Sequence, residues 1–364
     1  MAGRAVKAAR GLRRLTLLLA GLALAAAASP ARACAVCAPS APLTVAQRLI
    51  DAERALLAHP EPGAPGGWRV VALVRGEAGG EPPAIAPFAL RDPQGRPLLL
   101  VRDRLSKAWS ALGPVPEAQA DWLRGLGAWR RTSEMTLGDW TARVAALVPL
   151  LEHPEPMIAE TAYGEVARAP YAAMRANRAA LDGARLARWV EDPGLAPRRP
   201  LYLLLLGLAG GPSDALRIER ALAARKPGPD PVDLPALLAA DLELHGSRRL
   251  ARIEKTWLLD PARGPAELRA AIVALSVHGA EGATVPRDAV ADVFLRFTER
   301  RAPFGGLVAQ DLAAWGVWEA TPRFAALVES PDVPLWSRVA MLQYLRESPR
   351  PEARAALERV ARAR

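Results

Sequence analysis

The sequence predicts an α+β protein: a small β-barrel-like N-terminal domain followed by an all-α array of HEAT- or armadillo-like helical repeats. Three observations predict it. Between Pro42 and Gly113, short apolar and β-branched runs alternate with Pro/Gly turns. Beyond about Trp122, apolar residues recur at helical spacing. Prolines then punctuate the helical part, with Pro154, Pro193, Pro231, Pro261, Pro303 and Pro331 lying 39, 38, 30, 42 and 28 residues apart. With 51% hydrophobic and 24% charged residues among 364, the balance is globular rather than disordered. The expected units are a signal peptide over 1–33, a β-rich domain over 34–120, a linker over 121–130 and a helical domain over 131–364.

The first unit reads as an export signal. Arg4, Lys7, Arg10, Arg13 and Arg14 precede an apolar stretch from Leu15 to Ala28. That stretch is shorter than the roughly 20 residues a spanning helix needs. Ala31-Arg32-Ala33 supplies small residues where a signal peptidase cuts, which predicts cleavage near Ala33; cleavage after Ala28 and retention as a short anchor are the alternatives. The expected location is the periplasm or the extracellular space. Residues 1–33 hold six basic residues and no acid, so the net charge of +10 leaves 10 − 6 = +4 for the rest. Arg248-Arg249 and Arg300-Arg301 are only pairs, so no basic element for nucleic acid is expected. No later run is long enough to span a membrane.

Cys34 and Cys37 open the expected mature chain. Two cysteines exclude a disulfide-knotted scaffold and a four-thiolate zinc finger. A short disulfide between Cys34 and Cys37 suits an oxidising compartment. A lipid anchor on Cys34 is a second reading, although Arg32 departs from a lipobox. Covalent haem needs a histidine where Ala38 stands. Metal or redox chemistry is the remaining reading, although no strand precedes the pair to place it at a helix N-terminus.

Thr44 to Glu53 reads as a short helix capped by Thr44, with Val45, Leu49 and Ala52 on one face. Strands are expected over Trp68–Arg75, Ala84–Leu90 and Pro97–Arg102. Asp92-Pro93-Gln94-Gly95 has the chemistry of a tight turn. Further on, Trp140, Val144, Leu147 and Leu151 step along one helix face, as do Leu268, Ile272 and Leu275, and Leu335, Val339, Leu342 and Leu345. Asp192-Pro193, Asp230-Pro231, Asp260-Pro261 and Ser330-Pro331 pair a capping oxygen with a residue that has no N–H, the chemistry of a helix start. An irregular helical bundle is the competing architecture.

The run from His153 through Pro154, Pro156, Tyr163 and Pro170 to Tyr171 resembles the first helical repeat of a group of uncharacterised exported bacterial proteins common in planctomycetes. Cys34 and Cys37, then Thr44 to Ala58, then Leu98 to Val101 leading to Trp109 and Pro114, extend the resemblance. It implies a cysteine pair, a small β domain and a HEAT-like helical array, with no established activity to carry over. The β domain of that group is in turn similar to the oligomer-binding barrel of tissue inhibitors of metalloproteinases, whose mature N-terminal cysteine chelates zinc. Cys34 stands at that place, but those inhibitors open Cys-x-Cys and carry further disulfides.

No catalytic motif stands out. His59, His153, His245 and His278 are too far apart for a His-Glu-x-x-His zinc site, and neither a nucleophile elbow nor a phosphate loop is present. Glu219, Asp241 and Glu243 sit on helical patterns with no pocket that spacing reveals. Trp315 and Trp318, three apart, are expected to share a helix face and are the candidate surface-binding residues. Trp189, Trp257 and Trp336 are expected in apolar stripes. The expected function is a non-catalytic envelope or periplasmic scaffold that binds another protein, with no cofactor. The alternative is a zinc- or thiol-dependent enzyme, or an inhibitor-like module, using Cys34 and Cys37.

Overall fold

A computed structural model describes residues 43–79, 81–86, 92–228 and 232–362. The expected signal segment, Cys34, Cys37 and the Asp230-Pro231 cap lie outside the described residues.

Helix α1 (Val45–Asp51) starts as Thr44 dictates. The Thr44 hydroxyl accepts the Gln47 N–H at 3.1 Å and the Gln47 side chain accepts the Thr44 N–H at 3.2 Å, so two helix-end donors are satisfied reciprocally. The helix stops at Asp51, short of the expected Glu53, and the chain continues as strand β1 (Ala52–Pro60). Residues Ala55 to Ala58 are all buried. A strand paired on both sides and covered on both faces reads as a continuous apolar run, which hides its period of two.

Strands β2 (Trp68–Arg75), β3 (Leu98–Asp103) and β4 (Trp109–Pro114) complete an antiparallel sheet in the order β2-β1-β3-β4. Among the described residues, strands β2 and β4 are the edges of this four-stranded sheet. Residues 84–86 of the expected Ala84–Leu90 strand are not extended in a ladder, and 87–90 lie outside the described residues. Pro82 and Pro83 lead into them without ladder donors. Ile85 covers the sheet instead, and its carbonyl accepts the Trp68 indole N–H at 2.9 Å. The Asp92–Gly95 turn closes as expected, with the Gly95 N–H donating to the Asp92 carbonyl at 3.0 Å.

One sheet face buries Leu57, Leu99 and Val101 under Leu49 of α1 and under Leu123 and Leu126 of helix α2 (Ala120–Gly127). The segment expected as a linker over 121–130 therefore carries a helix whose leucines need the sheet for cover.

The rest of the chain is helical. Its first members are α3 (Leu137–Leu147), α4 (Pro156–Arg168), α5 (Tyr171–Ala176), α6 (Gly183–Glu191), α7 (Arg199–Ala209), α8 (Pro212–Ala223) and α9 (Leu234–His245). Helix α10 (Leu250–Ile253) runs on as a π-helical turn, Glu254–Leu258. Then come α11 (Pro265–Glu281), α12 (Arg287–Arg300), α13 (Gly306–Ala314), α14 (Thr321–Leu327), α15 (Leu335–Glu347) and α16 (Pro351–Arg362). Helix α7 packs on α9, α9 on α11, and α13 on α15; α6, α8 and α12 pack beside α7, α9 and α11. Helices α7 and α9 are apolar nearly all round because neighbours enclose them. Gly306 lets α13 touch α15, since a Cβ there would stand 2.4 Å from the Ser337 carbonyl oxygen. Among the described residues no helix is long and apolar enough to cross a membrane.

The capping dipeptides act locally. Asp192 accepts the Gly194 N–H at 2.8 Å, Asp260 that of Ala262 at 2.9 Å, and Ser330 that of Asp332 at 3.3 Å. The last two close turns, and α11 and α15 begin only beyond them, at Pro265 and Leu335. A short side chain bonding two residues ahead makes a turn as readily as a helix start.

The two textures of the chain meet at a buried ion pair. Arg143 of α3 donates to Glu165 of α4 at 2.8 Å, and the Thr44 hydroxyl donates to the other Glu165 oxygen at 2.5 Å. Glycine at 164 allows that approach, because a Cβ there would lie 2.7 Å from Thr44 Cγ2.

Candidate functional site

Helix α9 ends Asp241-Leu242-Glu243-Leu244-His245. Residues two apart on a helix diverge by about 200°, so Asp241 and Glu243 face different surroundings.

Glu243 enters a cluster between α5, α9 and α11. Its carboxylate accepts from the Tyr171 hydroxyl at 3.0 Å, from Arg175 at 2.9 Å and from the Thr284 hydroxyl at 3.0 Å. Arg175 also donates to Thr284 at 2.6 Å. His278, fully buried on α11, donates from Nε2 to the Ala239 carbonyl at 2.9 Å and meets the edge of the Tyr171 ring. Its Nδ1 has no hydrogen-bond partner and lies 3.8 Å from Glu243, too far to share a proton. Burial, against the pull of the Ala239 carbonyl and Glu243, lowers the pKa of His278, and Arg175 adds to the shift. The fold thus favours the neutral imidazole. Burial likewise pushes the nearby Glu281 carboxyl up. Glu243 accepts from Tyr171, Arg175 and Thr284, so the cluster ties α5, α9 and the segment after α11 together.

A pH dependence follows with a definite sign. The unfolded chain protonates His278 near its ordinary pKa of 6.5, while the folded chain resists the proton to lower pH. Between those two values the unfolded state binds more protons, and stability falls as pH drops. His278→Gln keeps an amide donor for Ala239 but does not titrate. Urea unfolding from pH 7.5 to 5.5 should show a shallower loss of stability for His278→Gln than for the native chain; equal slopes would contradict the assignment.

Asp241 faces a cavity of about 260 Å³ between α8, α10 and the π turn. Arg249 bridges Asp241 at 3.0 Å and Glu219 at 3.0 Å, and Arg252 donates to Glu219 at 2.6 Å. Those two guanidinium groups hold the Glu219 carboxyl down at about 2. Burial pushes the Asp241 carboxyl up despite Arg249 and His245 beside it.

A third feature is apolar. On α15 the buried residues are Ser337, Met341, Tyr344 and Leu345; of the expected stripe Leu345 is buried and Leu342 half-buried, while Leu335 and Val339 are exposed. Leu335, Trp336 and Val339 are 74%, 42% and 57% exposed. They lie at positions i, i+1 and i+4 and form one patch, flanked by Phe304 against the Trp336 ring.

Trp315 and Trp318 do not share a helix face. Helix α13 ends at Ala314, and Gly316 takes a left-handed φ of 70° between them. Trp315 stacks on Phe294 and lies over Gly279, while Trp318 meets Tyr344. Trp257 is buried as expected; Trp189 is half-buried against Tyr202, and Trp336 is the exposed member. His153 closes the turn before α4, its Nδ1 accepting the Glu155 N–H at 3.0 Å. Among the described residues no three of His, Cys, Asp and Glu group as metal ligands would. The candidate chemistry of Cys34 and Cys37 lies outside the described residues.

The sequence reading missed the Glu243 cluster, whose members spread from Tyr171 to Thr284. One signal was present: the Leu268, Ile272, Leu275 stripe continues three residues on to His278, which marks that histidine as inward-facing. Comparison of the chain with protein-family models, with curated proteins and with solved structures gives no match.

Proposed function

We propose that the protein is an exported, non-catalytic scaffold, periplasmic or extracellular, whose HEAT-like helical repeats hold another protein. The serial packing of α7 on α9, α9 on α11 and α13 on α15 supports the repeat reading, since each inner helix touches its neighbours in order. The observation that carries the binding role is the patch of Leu335, Trp336 and Val339. Large apolar side chains left together on a helix surface mark an interaction site more often than isolated ones do.

A photoreactive amino acid in place of Val339 should yield a discrete protein adduct in cells that export the chain. The same probe in place of Arg269, exposed on α11, should not. Addition of Trp336→Asp should abolish the adduct while leaving the melting temperature unchanged. The same adduct from both positions, or none from Val339, would refute the assignment of this face.

A further inference from the structure

We propose that the cleft between α8, α10 and the π turn binds the oxyanion group, carboxylate or phosphate, of a small soluble molecule on Arg249, Arg252 and Arg263. The walls present four guanidinium groups, with Arg225 as the fourth, against two carboxylates, Glu219 and Asp241. The other acids of the network stand behind the wall. Asp233 pairs with Arg225, and Glu267 holds Arg263 at 2.7 Å; neither lines the cleft. Acids so placed orient the guanidinium groups toward the cleft they line.

Arg263 is the decisive residue. It is 6% exposed, and its guanidinium lies 4.1 Å from the centre of the Trp257 ring. One terminal nitrogen donates to Glu267 and the other to the Arg225 carbonyl at 3.3 Å. The Nε has no hydrogen-bond partner, and Asp260 comes no nearer to it than 3.6 Å. A buried charged donor without an acceptor carries a desolvation cost that an incoming oxygen removes. Guanidinium groups also fit the planar, two-oxygen edge of a carboxylate or phosphate.

The wall is built for a site in a second respect. The π-helical turn Glu254–Leu258 inserts an extra residue per turn, and Thr256 and Trp257 line the cleft from it. Such turns are rare and occur frequently at functional sites. Asp241 is paired with Arg249, and Glu219 with Arg249 and Arg252, so an arginine offsets the charge of each acid. The cleft also has Leu222, Leu238 and Ile253 on its walls, which suits a ligand with an apolar part beside its anionic group.

Calorimetric titration of the full chain with inorganic pyrophosphate and, separately, with citrate tests this at constant ionic strength set by sodium chloride. Saturable one-site binding of at least one probe is expected, and the responding arm assigns phosphate or carboxylate. Arg252→Gln, at the half-exposed rim, and Arg263→Gln should each weaken binding about tenfold or more, and Arg359→Gln, on a distant exposed pair with Glu329, should bind as the native chain does. If Arg263→Gln does not fold, Arg252→Gln alone decides. No saturable binding of either probe at millimolar concentration, or equal affinity in Arg252→Gln, would overturn the proposal.

Discussion

Replacing Glu165 with alanine should cost about 3–5 kcal/mol of stability, because it breaks a buried ion pair by removing one partner. Glu165 is fully buried and Arg143 is 5% exposed. In the native chain the Arg143 guanidinium donates to Glu165 and to the Arg130 carbonyl, and it lies 4.5 Å from the Trp129 ring centre and 5.3 Å from that of Trp140. Burial already lowers the pKa of Arg143 even with Glu165 present. Without Glu165 the cation keeps one carbonyl and two ring faces, which do not replace its lost hydration. The Thr44 hydroxyl loses its acceptor as well, so the variant also loosens α1 and the sheet from α4. Guanidinium chloride unfolding should show the full loss for Glu165→Ala. The double variant Arg143→Met with Glu165→Leu should recover most of it, since no charge is then stranded. A loss below about 1 kcal/mol for the single variant would place the pair in water rather than in the core.

Phe324→Ala should cost a similar amount, about 3–5 kcal/mol, through lost burial and the cavity it leaves. Phe324 of α14 is fully buried and meets the Tyr344 ring edge-on at 4.9 Å. Tyr344 in turn donates its hydroxyl to the Val317 carbonyl at 2.7 Å, and burial pushes that hydroxyl up to about 12. Around this ring pair α13, α14 and α15 meet: a Cβ on Gly305 would stand 3.2 Å from the Phe324 ring. Phe324→Leu should lose much less, since a branched side chain fills part of the space. Thermal melts of the two variants check the ranking, and a Leu variant as unstable as the Ala variant would argue against a cavity as the cause.

What the sequence disclosed follows from how local each signal is. The Thr44 cap, the Asp92–Gly95 turn and the Trp68–Arg75 strand are decided by neighbours within a few residues, and each forms where its residues indicate. Strand β1 was hidden because its two covered faces erase alternation, and a run such as Ala55-Leu56-Leu57-Ala58 fits a helix equally well. Strand β4 has few β-branched residues and is held by pairing to β3. On α15 the periodic stripe from Leu335 to Leu345 is real, but Gly306 presses α13 against Ser337 and turns a different face inward. That rotation, set by a contact 31 residues away, leaves Leu335 and Val339 outside. The polar clusters around Asp241 and Glu243 were illegible for the same reason. Many of their partners come from other helices, and helical spacing alone does not say which neighbour a side chain meets.

Hydrogen exchange of the Phe324→Ala variant, read amide by amide against the native chain, tests most directly whether the helices stack in series. In a serial stack each unit depends only on those beside it. Exchange should then accelerate across 306–362 and stay at native rates in 156–209. Uniform acceleration through both regions would mean one cooperative core shared by all the helices, and would contradict the repeat array on which the scaffold reading rests.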